Sequence, residues 1–292
     1  MSELQKRYET LLGEQFTIPK KRSCLRINTI LAPPDIIARL QAQGATFTKV
    51  PWLTDGYWCE SKRSLGATTE YLLGYYYLQE AASQLPAAVL APEEGSLVLD
   101  MAASPGGKTT QLAAQMANTG VIVALEQKSN RMDALVENLE RLGVTNTVVY
   151  RKDARFVKDF HKQFTHILLD APCSGNPVIE AAYFEKKSPA TIKEMQSLQR
   201  ELLKAAIDVL APGGTLVYST CSLEPEENEE QADWVVRTYP NITLVDTGLA
   251  IGDPGYTTIA GKTLDKTVGK TRRLWPQKTG TQGFFVAKFR KE

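Results

Sequence analysis

Two of the four cysteines in this 292-residue chain stand where chemistry could use them. Cys173 follows Asp170-Ala171-Pro172, Cys221 sits in Ser219-Thr220-Cys221-Ser222, and each segment closes a short apolar run of strand type. A lone cysteine at such a place is more often an inert, small buried residue. Two thiols and a carboxylate at neighbouring strand ends fit a harder task, the methylation of carbon 5 of cytosine. That carbon is a poor nucleophile until a thiolate adds to carbon 6 and makes an enamine. Asp170 would stabilise the adduct at N3 and the exocyclic amine, a base would then remove the carbon 5 proton, and the second thiol would help the first to leave.

A methyl donor needs its own site. Asp100-Met101-Ala102-Ala103-Ser104-Pro105-Gly106-Gly107-Lys108-Thr109 links a strand-like run to a helix-like one. Its two glycines let the backbone pass close to a ligand, and the helix N-terminus behind them offers unpaired N–H groups. A phosphate-binding P-loop needs glycine six residues before its lysine, where this chain has Ala102, and a dinucleotide Gly-x-Gly-x-x-Gly is also missing. S-adenosylmethionine remains, with Glu126 at the end of the second strand for its ribose and Asp153 for its adenine amino group. A tight turn without a ligand is the plain alternative.

The elements that must position these residues begin at residue 96. Strand-like runs at 96–100, 121–126, 147–150, 166–170 and 215–220 alternate with helical segments, the pattern of an α/β fold with a mostly parallel sheet. Asp100, Glu126 and Asp170 end three of the runs and Asp153 follows a fourth, so these carboxylates converge on the rim where open α/β sheets bind ligands. Ser129 is expected to cap a helix carrying Leu135, Leu139 and Leu142 and stopped by Gly143, and residues 190–210 form another. Residues 1–80 read as a small α+β module with a strand at 24–28 and a helix at 34–43. Tyr71 to Leu85 is the expected helix joining it to a catalytic domain, 81–292. Residues 248–283 are a long stretch rich in Gly, Thr and Lys whose role the sequence leaves open, before a last strand at 284–289.

With 43% hydrophobic and 23% charged residues the chain is globular, which excludes disorder and collagen-like structure. No apolar run reaches the length of a membrane span or has signal-peptide character, so a cytoplasmic protein with no membrane contact is expected. The cysteine spacing offers no metal site and no structural disulfide. The net charge of +1 conceals segregation: +2 over residues 1–80, −8 over 81–261 and +7 over 262–292. That basic tail is compatible with a polyanionic substrate as well as with ordinary solvated lysines. Lys20-Lys21-Arg22 and Arg26 beside Trp52, Tyr57 and Trp58 could form an RNA-binding face or, equally, a solvated loop over buried aromatics. His161 and His166 have no partner that suggests a role.

Asp100 to Thr109, Asp170 to Gly175, and Thr220-Cys221-Ser222 followed by Glu226-Glu227-Asn228-Glu229 resemble the signature set of the Nop/Sun family of RNA cytosine-5 methyltransferases. The resemblance extends to Leu25-Arg26-Ile27-Asn28-Thr29, Gly74 to Glu80 and Arg273-Leu274-Trp275-Pro276, and so spans almost the whole chain. It implies a Rossmann-like S-adenosylmethionine-dependent methyltransferase fold, a seven-stranded mixed sheet behind a small N-terminal α+β RNA-binding module. It also implies Cys221 as nucleophile, Cys173 as the residue that helps release product, Asp170 as the holder of the cytosine ring and Lys108 as a catalytic group on the same rim. The cofactor would be held by Ala102, Ala103, Ser104, Pro105, Gly106, Gly107, Lys108, Glu126, Arg131, Asp153 and Asp170. Within the family, Cys173-Ser174-Gly175-Asn176 and the compact length look closest to archaeal-type tRNA methyltransferases, so a tRNA substrate is expected, with ribosomal RNA as runner-up. Ser104 stands where many members have alanine. Asn176-Pro177 stands where many have an acidic residue or threonine and then glycine, which leaves the exact target open. Of the other classes, an amino-group DNA methyltransferase would want Asn/Asp-Pro-Pro-aromatic in place of Asp170-Ala171-Pro172-Cys173. A non-catalytic RNA-binding protein has no use for two crevice thiols. No protein partner is indicated.

Overall fold

The computed structural model describes residues 3–180 and 182–292. Helix α1 (Glu3–Leu12) opens the chain. A four-stranded antiparallel sheet follows, built from β1 (Ser23–Ile27), β2 (Thr46–Lys49), β3 (Gly56–Glu60) and β4 (Tyr76–Leu78) in the order β2-β3-β1-β4, with α2 (Ile36–Ala42) and the short α3 (Thr69–Leu72) between its strands. The helix expected over Tyr71–Leu85 is therefore absent. Gly74, at φ +76°, ends α3, and Tyr76 then pairs with Ile27 while its ring is buried. Consecutive tyrosines fit a half-buried strand better than a helix, and that preference is satisfied here. In the later part a 3₁₀ turn at Ala82–Gln84 runs into a short helix, α4 (Leu85–Leu90), with Pro86 in its first turn.

The second sheet holds nine strands among the described residues. β5 (Leu97–Asp100), β6 (Val121–Glu126), β7 (Thr147–Arg151), β8 (Phe164–Asp170) and β9 (Leu210–Thr220) run parallel in the order β7-β6-β5-β8-β9. The mixed edge is antiparallel. β10 (Ile242–Val245) pairs with the second half of the last strand, and the short β11 (Asp253–Pro254) and a strand at Arg272–Leu274 extend beside its first half. Numbered along the chain, β12 (Thr258–Ile259) and β13 (Lys262–Thr263) form a separate hairpin, β14 is Arg272–Leu274, and β15 (Phe284–Lys291) is the last strand, paired with β9. The seven expected strands are thus present, and the stretch at 248–283 adds two more to the sheet.

Helices cover both faces. α5 (Gly107–Gln115) joins α4 on one side, and Val98, Ile122, Leu168 and Val217 point toward them. The alternate residues Leu99, Leu125, Ile167, Leu169 and Leu216 point to the other side, against α8 (Pro189–Val209) and α9 (Glu229–Thr238). This period of two, with each buried leucine contributing roughly 1.5–3 kcal/mol, fixes which strand residues face the core. Between them lie α6 (Ser129–Arg141) and the short α7 (Tyr183–Lys186), and α10 (Pro276–Thr279) precedes β15. Ser129 does not cap α6 as expected. The capping position is Lys128, whose backbone N–H is instead taken by Glu126 Oε1 at 2.8 Å. Ser188 does cap α8, accepting from Thr191 N.

The small sheet is tied to the large domain by buried polar groups: Asn28 Nδ2 donates to Leu142 O at 2.9 Å, and Arg26 reaches α5. α1 lies elsewhere, with Tyr8 packed among Phe16, Tyr183, Leu223 and Trp275. Among the described residues, no helix is long and apolar enough to cross a membrane.

Candidate active site

The parallel strands β8-β5-β6-β7 end side by side, so Asp170, Asp100, Glu126 and Asp153 form one carboxylate rim. Asp100 is fully buried, and burial pushes its carboxyl up to about 6 although Thr109 Oγ1 donates to it at 2.7 Å. The chain then turns through Met101–Gly106. Gly106 adopts φ +102° directly before α5, a conformation that disfavours a side chain, and a Cβ on Gly107 would stand 3.0 Å from the Tyr77 ring. Ser104 Oγ donates to Arg131 O at 2.8 Å and Arg131 Nη2 donates back to Ser104 O at 2.7 Å, which clasps the turn to the first turn of α6. Ala102, Ala103, Ser104, Pro105, Gly107, Lys108 and Asp170 line a cavity of about 250 Å³ whose opposite wall is Tyr77, Gln79, Glu80 and Ser83. That wall comes from the segment misread as a linking helix, and its only sequence signal was the family resemblance of Gly74 to Glu80.

The residues present fit a nucleoside-bearing cofactor. Glu126 is buried at the end of β6, and among the described residues its Oε2 has only Arg131 Nε, 3.6 Å away, which leaves acceptor capacity for ribose hydroxyls. Asp153 caps the 3₁₀ turn at 154–160 and is gripped by Arg155, whose hydrogen bonds hold its carboxyl below the usual range.

On the other half of the rim, β8 and β9 are parallel neighbours with Asp170 beside Ser219. Lys108 Nζ donates to Asp170 Oδ2 and Ser219 Oγ to Oδ1, both at 2.6 Å, so the carboxylate is held by both oxygens. Just beyond, the free thiols of Cys173 and Cys221 approach to 3.2 Å between sulfurs. The hydrogen bond with Cys221, then burial, pushes the Cys173 thiol well up. A nucleophilic sulfur, a neighbouring sulfur that keeps its proton and a carboxylate–ammonium pair can together add to an electron-poor ring and move a proton beside it.

Two expectations about charge change. Arg26 is not on an RNA-binding face: it is buried, bonded to Gln79 Oε1, Gly107 O and Thr110 Oγ1, because a strand residue facing α5 must satisfy its guanidinium there. Trp58 is buried too, with the Arg22 guanidinium 4.1 Å from its ring. Part of the basic tail is engaged within the chain: of its nine basic residues Lys262, Arg272, Arg273 and Lys278 pair with Glu230, Asp246, Glu229 and Asp253 of the acidic centre. Among the described residues, no cluster of His, Cys, Asp and Glu could hold a metal ion.

Known proteins resemble the chain over its full length. The family model of 16S rRNA methyltransferase RsmB/F matches residues 87–290, and that of the N-terminal domain of 16S rRNA methyltransferase RsmF matches residues 2–81. The 28S rRNA (cytosine-C(5))-methyltransferase of Mus musculus is 44% identical over 80% of this chain and 30% of its own length. Ribosomal RNA small subunit methyltransferase F of Escherichia coli is 40% identical over 94% of this chain and 57% of its own. The chain thus spans less than two thirds of these relatives. A methyltransferase homologue from Pyrococcus horikoshii, 39% identical, superposes with a TM-score of 0.89 over 98% of this chain and 94% of that one.

Proposed function

The chain belongs to the 16S rRNA methyltransferase RsmB/F family, and from that premise we propose that it methylates carbon 5 of a cytosine in RNA through a covalent adduct with Cys221. The observation that carries this reading is the 3.2 Å approach of the Cys173 and Cys221 sulfurs beside an Asp170 held by Lys108. S-adenosylmethionine is the cofactor, and when bound it supplies an electrophilic methyl group on its sulfonium. The main chain of Ala102–Gly107 and Lys108 hold its amino-acid end, Glu126 its ribose and Asp153 its adenine amino group, while Arg131 keeps the turn in place.

Because the Cys173 thiol is pushed up, it keeps its proton at neutral pH and leaves the Cys221 sulfur to add to carbon 6 of the ring. Asp170 accepts from the exocyclic amine, and the Lys108 ammonium beside it offsets the charge that addition places on the ring. Once carbon 5 carries the methyl group, solvent water takes its remaining proton, the electron pair left behind re-forms the double bond between carbons 5 and 6, and the bond from carbon 6 to the Cys221 sulfur breaks to release a thiolate beside Cys173.

The expectation of tRNA rests on the run Cys173-Ser174-Gly175-Asn176 and on the compact length, and at the end of that run Asn176 is buried, donates to Cys221 O and accepts from Val178 N. It faces the protein rather than a substrate. Both curated relatives above are named for ribosomal RNA, and ribosomal RNA is the substrate we propose. Residues 81–292 supply the catalysis and residues 1–80 an RNA-holding surface. Support for the latter is a cleft of about 760 Å³ lined by Lys20, Lys21, Arg22, Lys62 and Arg63. A small gap shares Lys20, Lys21 and Arg22 with this cleft and Glu80 with the cavity at Lys108.

One denaturing gel tests the proposal. With ribosomal RNA and S-adenosylmethionine, Cys173→Ala accumulates a covalent protein–RNA species, Cys221→Ala forms none, and neutralising Lys20, Lys21, Lys62 and Arg63 lowers adduct yield only at subsaturating RNA. Adduct formed by the Cys221 variant overturns the mechanism.

A further inference from the structure

Glu227 is the buried carboxylate for which the reaction above has no use. It is 0% exposed, on the 3₁₀ turn Pro225–Glu227, and it pairs with no cation among the described residues. It is surrounded by donors instead. Oε2 accepts from Ser174 N at 3.0 Å and from Gln199 Nε2 at 2.8 Å, while Oε1 accepts from Ser222 Oγ at 2.7 Å and from Ser174 Oγ. Ser174 adjoins Cys173 and Ser222 adjoins Cys221. Gln199, on α8, also donates to Pro172 O at 3.0 Å, on the other side of Cys173.

A carboxylate that merely closes its own loop would draw its donors from that loop. This one draws them from three segments, and two of those carry the thiols. We propose that Glu227 is a positioning residue that fixes Cys173 and Cys221 at their working separation. This rests on the reading that the two thiols carry the reaction. The sheet registers the two chains only as far as Asp170 and Ser219, and the thiols lie beyond it. Past that point the ties include Ala171 N to Ser219 O at 2.8 Å, Asn176 Nδ2 to Cys221 O, the contact between the two sulfurs and a 3.4 Å contact between the Ser174 and Ser222 hydroxyls. Four hydrogen bonds from three segments converge on the one Glu227 carboxyl group, against a single contact in each of those ties, so Glu227 outweighs any one of them.

The test uses Glu227→Ala and Glu227→Gln in the full chain, and reads kcat, KM for RNA and affinity for S-adenosylmethionine. It also reads the rate at which diamide, a two-electron thiol oxidant, joins Cys173 to Cys221 without RNA or cofactor. The alanine variant is expected to lose roughly 100-fold in kcat, the cost of a displacement near 1 Å, with KM for RNA and cofactor affinity unchanged and slower disulfide formation. The glutamine variant can accept from both Ser174 N and Gln199 with its one oxygen while its amide donates to the serine hydroxyls, so it keeps the geometry with a neutral group and is expected to lose no more than roughly tenfold. If the alanine variant does not fold, the glutamine variant decides. Parental kcat and parental oxidation rate in a folded variant overturn the inference. Full activity of Cys221→Ala would overturn the thiol mechanism instead, so the two failures are distinct.

Discussion

The turn at residues 101–107 and the loop at residues 221–229 lie on one rim of one sheet and are held in different ways. The turn is set mostly by the main chain, through two strand ends, a glycine at φ +102° and hydrogen bonds such as Ala103 N to Leu125 O at 2.9 Å, with Arg131 as a clasp onto the Ser104 carbonyl. The loop is set by side chains that reach far along the chain. Glu224, Glu227, Asn228 and Glu229 are all 0% exposed. Glu224 accepts from Arg7 and Tyr8, Glu227 from Ser174 and Gln199, and Asn228 from Thr220 Oγ1, while Glu229 is paired with Arg273. A site held by backbone is local in sequence and tolerant of its neighbours. A site held by buried charges depends on residues more than forty or two hundred positions away.

The largest expected effect tests the loop. Arg273 and Glu229 are both fully buried, and Arg273 Nη1 also donates to Leu223 O at 2.7 Å. Removing one member leaves the other charge buried and unpaired, so Arg273→Leu should cost about 3–5 kcal/mol in urea unfolding, and Arg273→Leu with Glu229→Leu should recover most of it. Cofactor affinity of the folded single variant should change little. An equal collapse of cofactor binding would show that the two halves of the rim are not held separately.

The second test sits in the turn. Asp100 titrates near 6 when folded against 3.8 when unfolded, because it is buried. Between those values the folded state binds more protons, so stability falls as pH rises through that window, and the full cost is present above about pH 6. Asp100→Asn removes the titration. It should be more stable than the parent at pH 7.5 by on the order of 2–3 kcal/mol, with the advantage gone below pH 4. A parent whose stability rises between pH 4 and 6 on account of this residue, seen as a shrinking gap between the two proteins, would contradict the buried carboxyl.

The same contrast decides what could be read from the chain. The strands 97–100, 121–126, 147–151 and 164–170 and the glycine turn were legible because short apolar runs and glycine spacing are local signals, whereas the family resemblance came from the motifs Asp100 to Thr109, Asp170 to Gly175 and Thr220-Cys221-Ser222. Tyr76–Leu78 was misread because its partner strand, Ser23–Ile27, lies fifty residues earlier, and period alone does not separate a short strand from a helix. Arg26 was placed on the surface because a basic residue near aromatics looks exposed until a helix is packed on it. The +7 tail was compatible with an outside polyanion and equally with solvated lysines, and four of its basic residues are matched to acids inside the chain. Glu227 gave a motif but no role, since its donors come from residues 174, 199 and 222.

Ser104 supplies the smallest effect and the finest test. Its hydroxyl donates to Arg131 O, a carbonyl inside α6 where the helix ladder provides a second donor, and Arg131 Nη2 still reaches Ser104 O without it. Ser104→Ala therefore deletes one partly buried hydrogen bond and orphans nothing, at a cost of about 0.5–1 kcal/mol by denaturant unfolding. Affinity for S-adenosylmethionine, measured by calorimetry, should stay at the parental value, because the main chain, not the hydroxyl, shapes the turn. A loss of tenfold or more would mean that this turn, like the loop that carries Cys221, is held in place by its side chains.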